Sequence, residues 1–186
     1  YAGFWSAGMI FFDPGTGEMD HFTYDDKRGF RSRTVTSFLE RSGQSIWVGT
    51  HDGLFCFDPA KMQLHKIWPE TTSETQPDIH QVNSLKSDTS GKLWLGTNRG
   101  LVHYDPGKGI LQHFQFKDAP ITSFESKIVE SVDIDQDGCV WAGTRYGVYK
   151  IDPDGGEYVS FYYDEENVKS LQNNYVRKVY VDRNQL

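Results

Sequence analysis

The chain has 186 residues, a formal net charge of −7 at pH 7 and 15% aromatic residues. No cluster of Lys and Arg is present, which argues against a nucleic-acid partner, because phosphate-backbone binding depends on clustered positive charge. No apolar stretch approaches the ~18 residues of a spanning helix, so we expect no membrane contact by this segment.

The sequence repeats itself at intervals of 47 residues. The pattern Trp-x-Gly-Thr-x-x-Gly, then an apolar residue and a closing Asp-Pro, occurs at 47–59, 94–106 and 141–153. A degraded copy opens the chain, with Tyr1 in the place of the Trp and Trp5 in an inserted turn. VRKVYVDRNQL at 176–186 matches the lead-in of the other repeats. Such a period indicates a repeat architecture.

Each complete repeat is predicted to form four short antiparallel strands. The predicted strands are VTSFLER, IWVGT, LFCFDP and QLHKIW in the second repeat, VNSLKSD, LWLGT, LVHYD and ILQHFQF in the third, and VESVDID, VWAGT, VYKID and EYVSFYY in the fourth. Apolar and polar residues alternate in these runs, and Gly- and Asp-rich turns separate them. Helical signals are missing.

The links between repeats are long and polar, at 69–79, 117–127 and 164–174. A four-stranded sheet of about 45 residues with apolar residues on both faces cannot bury them alone, so successive sheets should stack face to face. The recurring Trp would supply much of that contact, and the glycines would allow close backbone approach.

We therefore predict an all-β fold, namely a β-propeller of about four blades of four-stranded antiparallel meanders, as a segment of a larger propeller. The blades are expected around residues 1–24, 34–68, 80–116 and 128–163, with 175–186 starting the next blade. Two alternatives stay open: four blades that close on themselves, and two chains that share one ring as a homodimer.

The elements L-W-x-G-T, G-L and Y-D-P resemble the two-component regulator propeller repeat, and NVKSLQNNYVRKVYVDRNQL at 167–186 is similar to its spacer. The resemblance covers essentially the whole chain, three repeats closely and the first loosely. It implies the extracytoplasmic sensor region of a hybrid two-component system histidine kinase. The segment would be periplasmic and non-catalytic, with a parent protein anchored in the inner membrane.

The resemblance also implies partners. An oligosaccharide, or another blade or domain of the same protein, would bind on the loop face, and the signal would pass to the histidine kinase. A scaffolding or protein-interaction propeller is the first alternative. A polysaccharide lyase or glycosidase propeller is the less favoured alternative, and it stays open because the acid and base residues of such enzymes come from scattered loops that one sequence does not reveal.

Ligand contacts are expected on the turns between the second and third strands, because the strands themselves are committed to packing. Donor side chains beside an aromatic ring suit a polyhydroxylated or anionic sugar, although ordinary solvated turns would carry similar residues. Trp68 aligns with Gln115 and Tyr162 and is interpreted as off register, either as a stacking platform or as a domain contact. The candidate residues are Trp5, His51, Asp52, Trp68, Asn98, Arg99, Arg145 and Tyr146.

The run DIDQDG places Asp133, Asp135 and Asp137 like the first three ligands of a calcium loop. A calcium loop would carry Glu at its twelfth position, where this chain has Thr144, so a hairpin turn is favoured and calcium is the alternative. The cysteines and histidines lack metal-site spacing, and no nucleophile elbow is present. We expect no cofactor, no metal and no catalytic residue.

Overall fold

The computed structural model describes residues 2–4, 7–24, 27–41, 43, 45–68, 80–116 and 127–182. The chain divides into two compact units, Tyr1–Asn83 and Ser84–Leu186. Fifteen β-strands, and no α-helix, occur in the described part of the chain. Within the same part, no helix is long and apolar enough to cross a membrane. The prediction of an all-β fold is confirmed.

The first unit contains one three-stranded and one four-stranded antiparallel sheet, each a meander in sequence order. The three-stranded sheet consists of β1 (Ala2–Phe4), β2 (Gly8–Phe12) and β3 (Met19–Phe22). The four-stranded sheet consists of β4 (Val35–Glu40), β5 (Ile46–Thr50), β6 (Gly53–Asp58) and β7 (Gln63–Trp68).

The other eight strands form two further four-stranded meanders. The third sheet consists of β8 (Val82–Ser87), β9 (Leu93–Thr97), β10 (Gly100–Asp105) and β11 (Gly109–Phe114). The fourth consists of β12 (Val129–Ile134), β13 (Val140–Thr144), β14 (Gly147–Ile151) and β15 (Tyr158–Phe161). The sheets have the order and pairing of propeller blades.

The glycine before each threonine lets two backbones approach closely. A Cβ on Gly96 would lie 2.9 Å from Val129 Cγ1, and a Cβ on Gly143 would lie 3.0 Å from Val176 Cγ1. Both valines begin the first-strand segment of the following repeat. A side chain at either glycine would therefore force that segment away.

In the second unit, the repeated Trp lies between two stacked sheets. Trp94 is 1% exposed and shares a core cluster with Val132, Ala142 and Tyr149 of the following sheet. Truncating a buried side chain of this size costs about 3–5 kcal/mol. Face-to-face packing by the Trp is therefore confirmed for this pair of sheets, whereas Trp141 is only partly buried.

Serine hydroxyls join the first strands of successive repeats. Ser84 Oγ accepts a hydrogen bond from the Val132 amide at 3.1 Å, and Ser131 Oγ accepts one from the Val179 amide at 3.1 Å. Residues 176–181 thus run beside β12 in the same relation that β12 has to β8.

The register of the fourth strand corrects the alignment of Trp68. Trp68 pairs with Leu54, and a bulge between Leu54 and Phe55 takes up one residue. The same register position is held by Phe114, opposite Leu101, and by Phe161, opposite Val148. The off-register interpretation was wrong, because the bulge shifts Trp68 by one place. The Trp68 side chain is buried, with 5% of its surface exposed.

Candidate functional site

The three turns between second and third strands share one hydrogen-bonded frame. In each turn the threonine hydroxyl donates to the carbonyl of the closing glycine and accepts from the amide before that glycine. The donated bonds join Thr50 to Gly53, Thr97 to Gly100 and Thr144 to Gly147 at 2.9, 2.7 and 3.0 Å. This frame fixes the backbone of the two residues that differ between repeats, so their side chains can vary on a constant turn.

Gly100 illustrates why the turn must close on glycine. Its φ is +121°, and a Cβ there would collide with the Phe114 carbonyl of the neighbouring strand. An L side chain is disfavoured at that φ as well. The spacing Gly-Thr-x-x-Gly is therefore required by the turn itself. Only the two residues between the threonine and the closing glycine can vary to contact a ligand.

The turn of the first unit carries His51 and Asp52. Asp52 is exposed, and its Oδ2 accepts a hydrogen bond from the buried Ser32 hydroxyl at 2.6 Å. The His51 amide donates to the Thr34 carbonyl at 3.2 Å, which ties the turn to the segment before β4. This turn presents an anchored carboxylate to solvent.

The next turn carries Asn98 and Arg99. Asn98 is only 3% exposed, so it offers a ligand little surface. Arg99 is half-buried, and its carbonyl accepts a hydrogen bond from His113 Nε2 at 2.9 Å. This turn is bound to the outer strand of its own sheet.

The third turn brings a charged pair together with an aromatic ring. Arg145 Nε donates to Glu130 Oε1 at 2.7 Å, and Arg145 Cζ lies 5.8 Å from the centre of the Tyr175 ring. The Arg145 side chain is 37% exposed, and Tyr175 is 49% exposed. A cation, an acceptor and an accessible ring face therefore lie within reach of one small ligand.

Tyr146, the other variable residue of this turn, joins a group of tyrosines. Its ring lies 5.7 Å from the Tyr162 ring, and the Tyr162 hydroxyl is 2.8 Å from the hydroxyl of the fully buried Tyr149. The hydrogen bond between the two hydroxyls holds Tyr162 against the core. The Tyr146 ring therefore contacts a side chain whose position is fixed.

The link after β15 lies against the same turn. The Gly147 amide donates to the Asn174 carbonyl at 2.6 Å, and the Val176 amide donates to the Thr144 carbonyl at 2.9 Å. The Asn174 side chain accepts a hydrogen bond from the Tyr163 amide at 2.6 Å. The first two bonds hold the C-terminal end of the link beside Arg145 and place Tyr175 next to it, and the third ties the start of the link to Asn174.

Glu130 and Tyr175 were not among the candidates predicted from the sequence. Glu130 is the middle residue of a Val-x-Ser triplet that reads Val-Thr-Ser and Val-Asn-Ser in the two preceding repeats. It varies within a constant frame, which is the same signal that selected the turn residues. Tyr175 immediately precedes the equivalent valine, Val176, and could have been found in the same way.

The sequence also predicts Trp5 and Trp68 as candidates. Trp5 lies outside the described residues. Trp68 belongs to the first unit, and its burial removes the exposed ring face that a stacking platform needs. We therefore leave both out of the candidate site.

Two aspartates of the calcium-like run, Asp133 and Asp135, have structural partners. Asp133, 5% exposed, pairs with Lys86 Nζ at 2.5 Å and accepts the Val181 amide at 2.9 Å. Burial by itself acts to raise the pKa of Asp133, but Lys86 and the amide donors outweigh it and hold that pKa below its ordinary value. Asp135 accepts the Cys139 amide at 2.9 Å and closes the hairpin turn. The geometry is that of a strand and a turn.

A second polar cluster lies at the opposite strand ends of the third sheet. His103 stacks on Trp94 with the rings 4.1 Å apart and 3° from parallel, and His103 Nε2 lies 3.2 Å from Asp88 Oδ2. Burial acts to raise the pKa of Asp88, but hydrogen bonds from Ser90, His103 and Lys92 hold it below the ordinary value. The cluster borders a cleft of about 300 Å³. Lys150, which has the position of His103 in the next repeat, lies over Trp141 at 5.2 Å, so a polar side chain covers the Trp in both repeats.

No family model matches the chain, and no curated protein matches it. Solved structures do match. The extracellular domain of the hybrid two-component system BT4673 from B. thetaiotaomicron aligns with a TM-score of 0.75 and 24% identity, over 97% of this chain and 23% of that one. That of BT3049 from the same organism aligns at 0.68 and 17%, over 96% and 22%.

PorZ, a surface component of the type-IX secretion system of Porphyromonas gingivalis, aligns with a TM-score of 0.64 and 16% identity, over 97% of this chain and 28% of that one. The chain therefore spans 22–28% of the length of these three structures. At these identities the likeness shows the fold. The resemblance read from the repeats is confirmed at that level: the four sheets are β-propeller blades, and extracellular domains of hybrid two-component systems share their arrangement.

Proposed function

We propose that this chain is part of the extracytoplasmic sensor region of a hybrid two-component system, located in the periplasm. An oligosaccharide binds at the turn of Arg145 and Tyr146, and the signal passes through neighbouring domains of the same protein to a histidine kinase. The segment itself performs no catalysis. Its parent protein is anchored in the inner membrane.

The observation that carries this proposal is the group formed by Arg145, Glu130 and Tyr175. A sugar ring offers hydroxyls that act as both donors and acceptors, and it has an apolar face that stacks on aromatic rings. The guanidinium donates, the carboxylate accepts, and the half-exposed tyrosine offers a ring face. Similarity to sensor domains in fold supports the sensor role, and it does so by analogy alone.

Calorimetry with a panel of oligosaccharides tests the proposal. We expect heat with at least one sugar, and loss of that heat in Arg145→Ala and in Tyr175→Ala. Tyr180→Ala, which removes a tyrosine that is 79% exposed elsewhere, is the matched control and should bind normally. A scaffolding propeller would give no heat with any sugar.

The catalytic alternative needs a separate measurement. After prolonged incubation with the same panel, new reducing ends would indicate a glycosidase, and new absorbance from an unsaturated product would indicate a lyase. We expect neither. Turnover that survives both Arg145→Ala and Tyr175→Ala would also show that the catalytic groups lie elsewhere.

A further inference from the structure

We propose that Glu130 makes the Arg145 site selective for neutral sugars over acidic ones such as uronates. This inference rests on the proposed function and concerns the same site. The turn residues alone suggested an anionic sugar as readily as a neutral one. The pairing of Arg145 with a carboxylate decides between them.

The first step is charge compensation. Glu130 Oε1 lies 2.7 Å from Arg145 Nε, and the Glu130 side chain is only 21% exposed. A carboxylate this close, partly removed from water, offsets most of the attraction that the guanidinium would exert on a ligand carboxylate. Glu130 would also repel that ligand carboxylate directly.

The second step is the charge of the adjoining link. Asp164, Glu165 and Glu166 are exposed residues of the link whose last residue, Asn174, is bonded to this turn, and Lys169 is the one basic residue between 162 and 175. The link itself is therefore acidic on balance. An acidic field lowers the local concentration of anionic ligands and slows their association.

The third step is the ring platform. Tyr175 is 49% exposed, and its backbone amide donates to Asn173 Oδ1 at 2.7 Å, which holds the residue in place. Stacking of a sugar face on this ring needs no ligand charge. Arg145 lies over the ring as a donor and Glu130 is bonded to Arg145 as an acceptor, an arrangement that fits hydroxyls of a neutral pyranose.

The other two turns lack this combination. The residue pairs at the corresponding strand and turn positions are Thr36 with His51 and Asn83 with Asn98. Neither pair combines a carboxylate with a guanidinium. The charge pair is thus a property of this turn and does not belong to the repeat frame.

The test compares a neutral oligosaccharide with a uronate oligosaccharide of equal length, for example a galactose tetramer and a galacturonate tetramer, by calorimetry. Wild-type protein should bind the uronate at least about tenfold more weakly than its neutral partner. Glu130→Gln removes the charge and keeps the shape, and should reduce or reverse the ratio of the neutral-sugar affinity to the uronate affinity. Glu130→Asp keeps the charge and should retain the preference for the neutral sugar.

Two controls separate charge selection from a general defect. Glu157→Gln makes the same charge change at an exposed residue in the turn before β15, and should leave the ratio unchanged. Raising the salt concentration should strengthen uronate binding to wild type more than to Glu130→Gln, because salt screens the repulsion. Glu130→Thr, which introduces the residue that the second repeat has at this position (Thr36), removes the same charge and should reduce the preference in the same way, which provides an independent variant if Glu130→Gln does not fold.

Each remaining outcome has one meaning. Wild-type protein that binds the uronate as tightly as the neutral sugar, or an unchanged ratio in Glu130→Gln, overturns this inference and leaves the proposed function standing. If wild-type protein binds no oligosaccharide of either class, the proposed function fails, and this inference fails with it.

Discussion

Asp133→Asn should destabilise the protein measurably at neutral pH. The Asp133 carboxylate is 5% exposed and connects three segments of the second unit: β8 through Lys86, its own strand through the Ile134 amide, and the final segment through the Val181 amide. Asparagine has nearly the same shape. The substitution therefore removes charge and one acceptor oxygen without creating a cavity.

The magnitude follows from the partners. A hydrogen bond to a charged group contributes about 1.5–3 kcal/mol, and breaking a fully buried ion pair costs about 3–5 kcal/mol. Lys86 is 29% exposed, so its ammonium can regain water when the carboxylate is lost. We therefore expect a loss of about 1–3 kcal/mol in the free energy of unfolding, measured by urea denaturation at pH 7.

The pH dependence gives a second check with a fixed sign. The pKa of Asp133 is lowered in the folded protein, so its contribution to stability is present above the unfolded value of about 3.9 and is lost as the pH falls through the folded value. The difference in the free energy of unfolding between wild type and Asp133→Asn should become smaller below about pH 4. Asp137→Asn, at an exposed position nearby, is the matched control. A wild-type-like unfolding midpoint for Asp133→Asn at pH 7 would refute the reasoning.

Three further substitutions probe the repeat frame by urea denaturation. Gly96→Ala should lower the free energy of unfolding by about 1–3 kcal/mol, because its Cβ would approach Val129 to 2.9 Å. Gly107→Ala, on an exposed turn, is the control and should leave that free energy nearly unchanged. Equal effects of the two substitutions would contradict the close-approach argument. Thr97→Val should lower the free energy of unfolding by about 1–3 kcal/mol, since the Gly100 carbonyl and the Arg99 amide lose the threonine hydroxyl as a hydrogen-bond partner. A variant as stable as wild type would show that the turn does not need this hydroxyl. Asp88→Asn should lower the free energy of unfolding by about 1–2 kcal/mol at pH 7 through loss of its bond to His103. An unchanged free energy would mean that this pair does not contribute to stability.

The frame of the fold could be predicted because the same packing problem is solved three times. Trp94, Gly96 and Thr97 recur at one spacing, and each turned out to serve one physical need: sheet contact, close backbone approach or turn closure. A residue that recurs at a fixed period can be assigned the same structural role in every repeat. Their partners recur with the same period, as Val129 does for Gly96 and Val176 for Gly143, so the repeat includes them as well.

The errors and omissions arose where a contact joins positions without a fixed spacing. The bulge beside Leu54 adds one residue to the last strand, and counting along the repeat does not reveal it, so Trp68 was assigned to the wrong register. Glu130 meets Arg145 only because the first and second strands pair, and Tyr175 joins them only because the link folds back onto the turn. Such contacts follow from pairing register and loop path, which one sequence does not give.

The frame and the candidate site are energetically separable, and this decides how binding variants should be interpreted. Thr144 holds the third turn through backbone groups alone, so the side chains of Arg145 and Tyr146 are not needed to close it. The pair of Arg145 with Glu130 is part-exposed, and pairs of this kind contribute about 0–1 kcal/mol to stability. Arg145→Ala should therefore abolish sugar binding while leaving the unfolding free energy within about 1 kcal/mol of wild type. Because the frame bears the stability, a loss of binding in that variant would report on recognition itself.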